Sequence, residues 1–335
     1  MYELKIPEGY QSKLSLRETE KAIKFVKDAF QRNFIRNFGF ERVSAPLFVK
    51  SGIGVNDDLN GVERAVRFDV LQQGVDAEIV HSLAKWKRIA LKRYGFRSGE
   101  GIYTDMNAIR RDDKCDNLHS IYVDQWDWEM VIAKEQRNQN FLKMIVVRIV
   151  GAIADTLEET KNAFAAIDVK IKREVKFVTA QEAIDEYPNL DSHQRERALA
   201  KKYGTVFLME IGGALSNGQP HDGRAPDYDD WALNGDLLFY DEVLDDSIEI
   251  SSMGVRVDSE SLKKQLEIAN ATDREKNEYH KDVLNGNLPL TIGGGIGQSR
   301  LCMLLLQKAH IGEVQASLWP DDMQNKCQQA GIILL

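Results

Sequence analysis

The sequence predicts an α+β fold, a largely antiparallel (mixed) sheet flanked by helices, and three observations predict it. Helix-like and strand-like segments are interspersed without strict β-α-β-α alternation. Several strand-like segments follow one another directly, which implies antiparallel or mixed pairing. Ser120 to Met130 (SIYVDQWDWEM) alternates polar with apolar or aromatic residues, the period-2 mark of a half-buried strand.

The elements follow in order. Ser15-Leu-Arg-Glu18 reads as a capping box ahead of Ile23, Val26, Phe30 and Phe34 at helical spacing, with Gly39 as the stop. Phe40 to Val49 reads as a strand; Pro46 cannot donate to a ladder and belongs at a sheet edge or strand end. Val62 to Val70 and Ala77 to Val80 look like a strand pair with Gly74 in the turn. Leu83 to Arg93 looks helical, and Phe141 to Phe164 is the longest helical candidate. Val206 to Ile211, Asp236 to Tyr240 and Ser247 to Ile250 read as strands; Leu262 to Leu284 and Leu301 to Gln307 read as helices. No internal repeat, low-complexity tract or linker is visible, so residues 1–335 are expected to form one compact domain.

Composition narrows the class. A chain of 335 residues can bury one large core or two modest ones. Hydrophobic content of 43% and charged content of 29% suit an ordinary globular protein. A formal charge of -8 argues against a general polyanion binder, so no nucleic-acid partner is expected. The N-terminus shows no long apolar stretch, and Phe141 to Ala154 is interrupted by Lys143 and Arg148, so no membrane role is expected. Cys115, Cys302 and Cys327 lie far apart, with neither metal-ligand spacing nor a disulfide framework. A reduced, cytoplasmic enzyme or binding protein is the expectation.

Thr291 to Leu306 (TIGGGIGQSRLCMLLL) is the most informative stretch. Glycines permit close backbone approach, and Arg300 can lay a flat cation on a phosphate or a base. It matches neither common nucleotide fingerprint: the P-loop lysine is absent, and Gln298 stands where a third glycine of G-x-G-x-x-G belongs. A glycine-rich strand end feeding a buried helix is the bland alternative. Lys85, Lys87 and Arg88 crowd the start of a helix, where the macrodipole disfavours cations. An anion offsets them, or the face is simply solvated. Gln125, Asp127 and Glu129 share one strand face opposite Trp126 and Trp128, either solvated or the floor of a polar site. Asp227, Asp229 and Asp230 after Pro226 suit a capped turn or an ammonium or metal ligand. Asp236 and Glu249 fall in successive strands and, if these pair, can converge on Mg²⁺. No Ser/His/Asp, Cys/His or H-E-x-x-H pattern competes.

Together, HSLAKWKR, GEGIYTDMNAIR, HSIYVDQWDWE, RAPDYDDW, LNGD, SSMGVRVD and TIGGGIGQSRL closely resemble ammonia-dependent asparagine synthetase (aspartate–ammonia ligase), over about Glu18 to Trp319. That family is similar in fold to the catalytic domain of class II aminoacyl-tRNA synthetases and implies a homodimer. The resemblance implies L-aspartate, ATP and ammonia as substrates, a β-aspartyl adenylate, and AMP and pyrophosphate as products. It implies catalytic roles for Arg110, Gln125 and Asp57, the last acting on ammonium. Ser82, Lys87, Asp127, Asp229, Ser252 and Arg256 are the implied aspartate pocket. Arg110, Leu118, Ser120, Val123, Asp236, Glu249, Ile250, Gly295 and Arg300 are the implied nucleotide site, with Asp236 and Glu249 on Mg²⁺. One departure is the short link from Asp230-Trp231 to Asn234-Gly235-Asp236, where some members of that family carry a longer loop. A glutamine-dependent enzyme needs a nucleophilic cysteine, yet residue 2 is Tyr and no spare domain is visible, so free ammonia is the expected donor. A tRNA ligase and a non-catalytic amino-acid sensor are the rivals. Acidic charge argues against the first, and retention of Arg110, Gln125, Asp236, Glu249 and Arg300 against the second.

Overall fold

The computed structural model describes residues 4–57, 59 and 63–335. Its elements run α1 (Leu16–Phe38), β1 (Glu41–Arg42), β2 (Phe48–Lys50), β3 (Arg67–Val70), β4 (Val75–Ile79), α2 (Ala84–Tyr94), β5 (Gly101–Ile109) and β6 (Tyr122–Val131). They continue α3 (Gln139–Ala163), β7 (Lys176–Thr179), α4 (Ala180–Glu186), α5 (Ser192–Tyr203), β8 (Thr205–Met209), β9 (Asp229–Asp241) and β10 (Asp246–Arg256). The last are α6 (Ser259–Ile268), α7 (Glu278–Leu284), β11 (Thr291–Gly297), α8 (Gln298–Leu305) and α9 (Asp321–Gln329).

Among the described residues, eight strands form one sheet in the order β1-β5-β6-β11-β10-β9-β8-β7. Only the two edge pairs, β1 with β5 and β7 with β8, are parallel. The mixed, largely antiparallel sheet is therefore borne out. β2, β4 and β3 make a separate antiparallel sheet.

Local chemistry fixes the ends as expected. Ser15 accepts from the Glu18 amide while the Glu18 side chain returns to the Ser15 amide, and Gly39 closes α1 at φ 67°. Gly74 sits at φ 60° in the turn joining β3 to β4.

Four expectations need correction. Phe40 to Val49 is two short strands rather than one, interrupted over 43–47, where Pro46 removes a donor. Leu262 to Leu284 is not one helix: Asn270 adopts φ 52° after α6, and a 3₁₀ turn precedes α7. β6 is almost wholly buried rather than half-buried. β3 begins at Arg67, and Val62 lies outside the described residues.

The core explains why both faces of β6 are covered. Trp126 and Trp128 are fully buried against α1: Phe30 lies 4.5 Å from Trp126 between ring centroids, and Phe38 6.3 Å from Trp128. Helix α3, apolar through Ile145, Ile149 and Ile153, backs α1 on that side. The opposite face of β6, β11 and β10 carries polar side chains and is approached by α2. That division places the site.

Candidate active site

The polar face of the central strands floors a cleft of about 850 Å³. Arg110, Leu118, Ser120, Val123, Gln125, Glu249, Ile250, Ser252, Gly295 and Arg300 all line it. Residues as far apart in sequence as Arg110 and Arg300 thus share one chamber because β6, β11 and β10 are adjacent.

Arg110 and Arg300 are each aimed by backbone oxygens. Arg110 Nη2 donates to the His81 carbonyl at 3.3 Å, while its Nε is buried without a partner among the described residues. Arg300 donates to the carbonyls of Leu118 at 3.4 Å and Glu249 at 3.0 Å, and its guanidinium lies 3.5 Å from the Glu249 carboxylate. Guanidinium groups held this way keep donor capacity for a polyanionic ligand. Gln125 lies over Gly295, where a Cβ would collide with its amide.

Lys87, Asp127, Asp229 and Arg256 do not border the open cleft; they form a buried charged layer with Glu129. Lys87 Nζ pairs with Asp127 and donates to the carbonyls of Trp128 at 2.9 Å and Gly294 at 3.2 Å. Arg256 donates to Glu129 at 2.7 and 3.0 Å and to Asp229 at 2.5 Å. Burial lowers the Lys87 pKa, against the pull of Asp127, and raises that of Asp229, against the pull of Arg256. Burial also acts on Glu129, but Arg256 and Lys87 outweigh it and hold its carboxyl below the usual range. Two cations face three carboxylates here, an excess of one acidic group that a ligand ammonium would balance.

Ser82 precedes α2, and its hydroxyl accepts from the Ala84 amide at 3.1 Å. Asp57 lies outside the main cleft, in a smaller adjoining cavity of about 430 Å³. Its Oδ1 accepts from the Leu59 amide at 2.9 Å, a turn-capping role, but Oδ2 is buried without a partner among the described residues. Burial raises the Asp57 pKa; Lys85 opposes the shift and Asp227 adds to it.

The strands carrying Asp236 and Glu249 do pair, with Ser252 opposite Asp236 and a bulge after Glu249. Glu249 lines the cleft, whereas Asp236 is buried and ion-paired to Arg224. Burial pushes Asp236 up to about 7, with Arg224 opposing and Glu249 adding. Among the described residues no three His, Cys, Asp or Glu side chains converge as a metal cage. Yet Asp236 Oδ1 is buried without a partner among the described residues. Two carboxylates, one with an unsatisfied oxygen, fit a hard divalent cation completed by phosphate oxygens and water.

Glu129, Arg224, Tyr228 and Asp227 were not among the site residues that the family resemblance implied. Glu129 is the counter-ion of Arg256; its place on the Gln125–Asp127 strand face was the available signal. Arg224 and Tyr228 line the cleft, and Tyr228 lies under the Arg256 guanidinium at 5.8 Å. Asp227 accepts from Lys85, Arg274 and His280 at 2.9 to 3.0 Å, so Lys85 at the start of α2 has a buried partner rather than a solvated face. The short Asp230–Asp236 link is continuous strand within β9, so no loop intervenes there.

A family model described as aspartate-ammonia ligase matches residues 17–331. An aspartate–ammonia ligase of Clostridium perfringens is 55% identical over 336 residues, covering 100% of both chains. One from Ruminiclostridium cellulolyticum is 56% identical over 330 residues, 98% of each chain. Among solved structures, asparaginyl-tRNA synthetase of Pyrococcus horikoshii complexed with asparaginyl-adenylate matches with a TM-score of 0.66 at 16% identity, covering 91% of this chain and 70% of that one. The Entamoeba histolytica asparaginyl-tRNA synthetase matches at 0.64 and 14%, covering 90% of this chain and 66% of that one. At those identities the likeness is one of fold, the class II synthetase type.

Proposed function

The chain belongs to the aspartate–ammonia ligase family, and from that premise we propose that it makes L-asparagine through a β-aspartyl adenylate. In the first step an oxygen of the aspartate β-carboxylate attacks the α-phosphorus of ATP. The phosphorus–oxygen bond to pyrophosphate breaks, and pyrophosphate leaves with the electron pair. A free carboxylate will not accept ammonia, because oxide would have to leave; adenylation supplies a leaving group. In the second step ammonium yields a proton to Asp57, and the nitrogen lone pair attacks the β-carbonyl carbon. AMP departs with the carbon–oxygen pair, and the new amide sheds its extra proton.

The observation that carries this reading is the convergence of Arg110, Gln125, Glu249 and Arg300 on one cleft above the Lys87–Arg256 charged layer. Arg110 would span the α-phosphate and the reacting carboxylate, and Gln125 would orient that carboxylate. Arg300 would serve adenine and the outer phosphates, with Leu118, Ser120, Val123, Ile250 and Gly295 walling the nucleotide. Lys87, Asp127, Asp229, Arg256, Ser82 and Ser252 would recognise aspartate. Asp236 and Glu249 would hold Mg²⁺, which supplies charge neutralisation on the phosphates. The archaeal synthetase solved with asparaginyl-adenylate holds an acyl-adenylate on the same fold, which supports the intermediate. A homodimer belongs to the same reading, and the half-exposed Met144 and Val147 of α3 offer apolar surface for pairing.

Product analysis with labelled ammonium tests the mechanism. AMP, pyrophosphate and labelled asparagine should appear in equal amounts. ADP and phosphate as stoichiometric products would replace the adenylate with an acyl phosphate.

A further inference from the structure

We propose that the smaller cavity, separate from the nucleotide cleft, admits and seats ammonium, with Asp57 Oδ2 and His81 Nε2 as its acceptors. This rests on the reading that Asp57 serves the ammonia step, and adds the route, the seat and the role of His81.

The geometry places the cavity at the back of the reaction centre. The two cavities share only Glu63 and Arg64 among their lining residues. His81 stands between them: its carbonyl accepts from Arg110, which lines the cleft, while His81 itself lines the second cavity. A nucleophile held there is one residue away from the guanidinium proposed to hold the reacting carboxylate. With ATP and aspartate filling the cleft, a separate opening admits ammonia after both have bound.

The chemistry selects the ligand. His81 Nδ1 lies 3.0 Å from the Asp57 carbonyl oxygen. A carbonyl only accepts, so in the neutral ring Nδ1 carries the hydrogen and Nε2 the lone pair. Nε2 of His81 and Oδ2 of Asp57 are both buried without partners among the described residues, on side chains of residues only 1% and 3% exposed. Asn56 clamps the pair: its Oδ1 accepts from the amides of Asp57 and His81, each at 2.9 Å. Of the three arginines on the cavity wall, Arg67 is committed to Glu78 at 3.1 Å and Arg64 to Asp112 at 2.5 and 3.0 Å, and Arg111 makes no hydrogen bond to either acceptor. Two unsatisfied acceptors in one cavity call for a ligand that only donates. Ammonium, with four N–H donors and no acceptor, is that ligand; leaving the pair empty of donors carries a desolvation cost.

Three variants test this, read by the ammonium concentration giving half-maximal asparagine synthesis and by aspartate-dependent ATP–pyrophosphate exchange. Ala65→Phe narrows the cavity and should raise that concentration with exchange preserved. His81→Phe removes one acceptor and should raise it roughly ten- to a hundredfold, the range for losing a hydrogen bond to a charged group. His81→Gln, which restores an acceptor, should recover much of the loss. Unchanged ammonium dependence in both phenylalanine variants, with exchange intact, would overturn the cavity while leaving the adenylate standing. Equal loss of exchange and synthesis in both would assign the cavity to activation or folding, and equally overturn it. Absence of exchange in the unaltered enzyme would sink the adenylate reading itself.

Discussion

The Glu129 carboxylate lies across the backbone of Gly293, in the space a Cβ would occupy. Gln125 lies in the same way across Gly295, whereas Gly294 points to the other face, against Met253. The three consecutive glycines of β11 therefore answer two demands. On the polar face they make room for neighbouring site residues, and on the apolar face they allow β11 to sit closely on β10.

Gly293→Ala should be severe for so small a change. The added methyl would collide with Glu129 and Arg256 in a site with no space to give. Disrupting a buried, paired charge typically costs about 3–5 kcal/mol. Urea unfolding should report a loss of that order, and aspartate half-saturation should rise more than that of ATP. A variant of normal stability and normal aspartate dependence would show that the Glu129–Arg256 pair has no part in the pocket.

Much of this was legible in sequence, for identifiable reasons. The α1 capping box, the Gly39 stop and the period of β6 are local signals, and local signals survive folding. Lys85, Lys87 and Arg88 looked ambiguous because their counter-ions come from distant segments. Asp227 and Asp127 are 142 and 40 residues away in the chain from Lys85 and Lys87, and Arg88 uses the carbonyls of Pro289 and Val257. The β6 alternation predicted one wet face, but tertiary packing buried both. β5 was missed: GIYTDMNAI is buried at eight of nine positions wholly or in part, so alternation could not mark it. Glu129 was visible on its face, yet its role depends on Arg256 across the sheet.

Magnesium dependence should change with pH through Asp236. Its folded pKa of about 7 stands above the unfolded carboxylate value of about 3.9. The folded state therefore holds this proton more tightly, and the stability it contributes is present below pH 4 and lost as pH rises through 7. With Asp236 as the proposed Mg²⁺ ligand, protons and Mg²⁺ would compete for that carboxylate, and the Mg²⁺ concentration for half-maximal exchange should rise as pH falls below about 7. Asp236→Asn should weaken Mg²⁺ use and flatten that profile. An unflattened profile would place the titrating group elsewhere.

Arg110→Lys should lose far more in turnover than in ATP affinity. The guanidinium can bridge phosphate and carboxylate oxygens in a bidentate manner, and its Nε is still free to donate. An ammonium is a point charge and cannot span both. Loss of one such preorganised donor costs on the order of 10²–10³ in rate. Near-normal turnover would remove Arg110 from the reacting atoms.

Asp57→Asn should separate the two half-reactions. The substitution keeps the Oδ1 acceptor that caps the Leu59 amide, so the turn survives. It removes the charge at Oδ2, which is the proposed acceptor of the ammonium proton. Burial holds the Asp57 carboxyl above its ordinary range, which makes it a stronger base than an exposed aspartate. Arg110, Gln125 and the nucleotide wall lie in the other cavity and should be little disturbed. Aspartate-dependent ATP–pyrophosphate exchange should therefore persist while asparagine formation falls roughly 10²–10⁴-fold, the usual contribution of a positioned acid or base. Hydroxylamine, mostly uncharged at neutral pH, needs no proton removed before attack and should be spared much of that loss. If exchange and synthesis instead fell together, Asp57 would belong to activation or to the fold, and its unpaired oxygen would need another explanation.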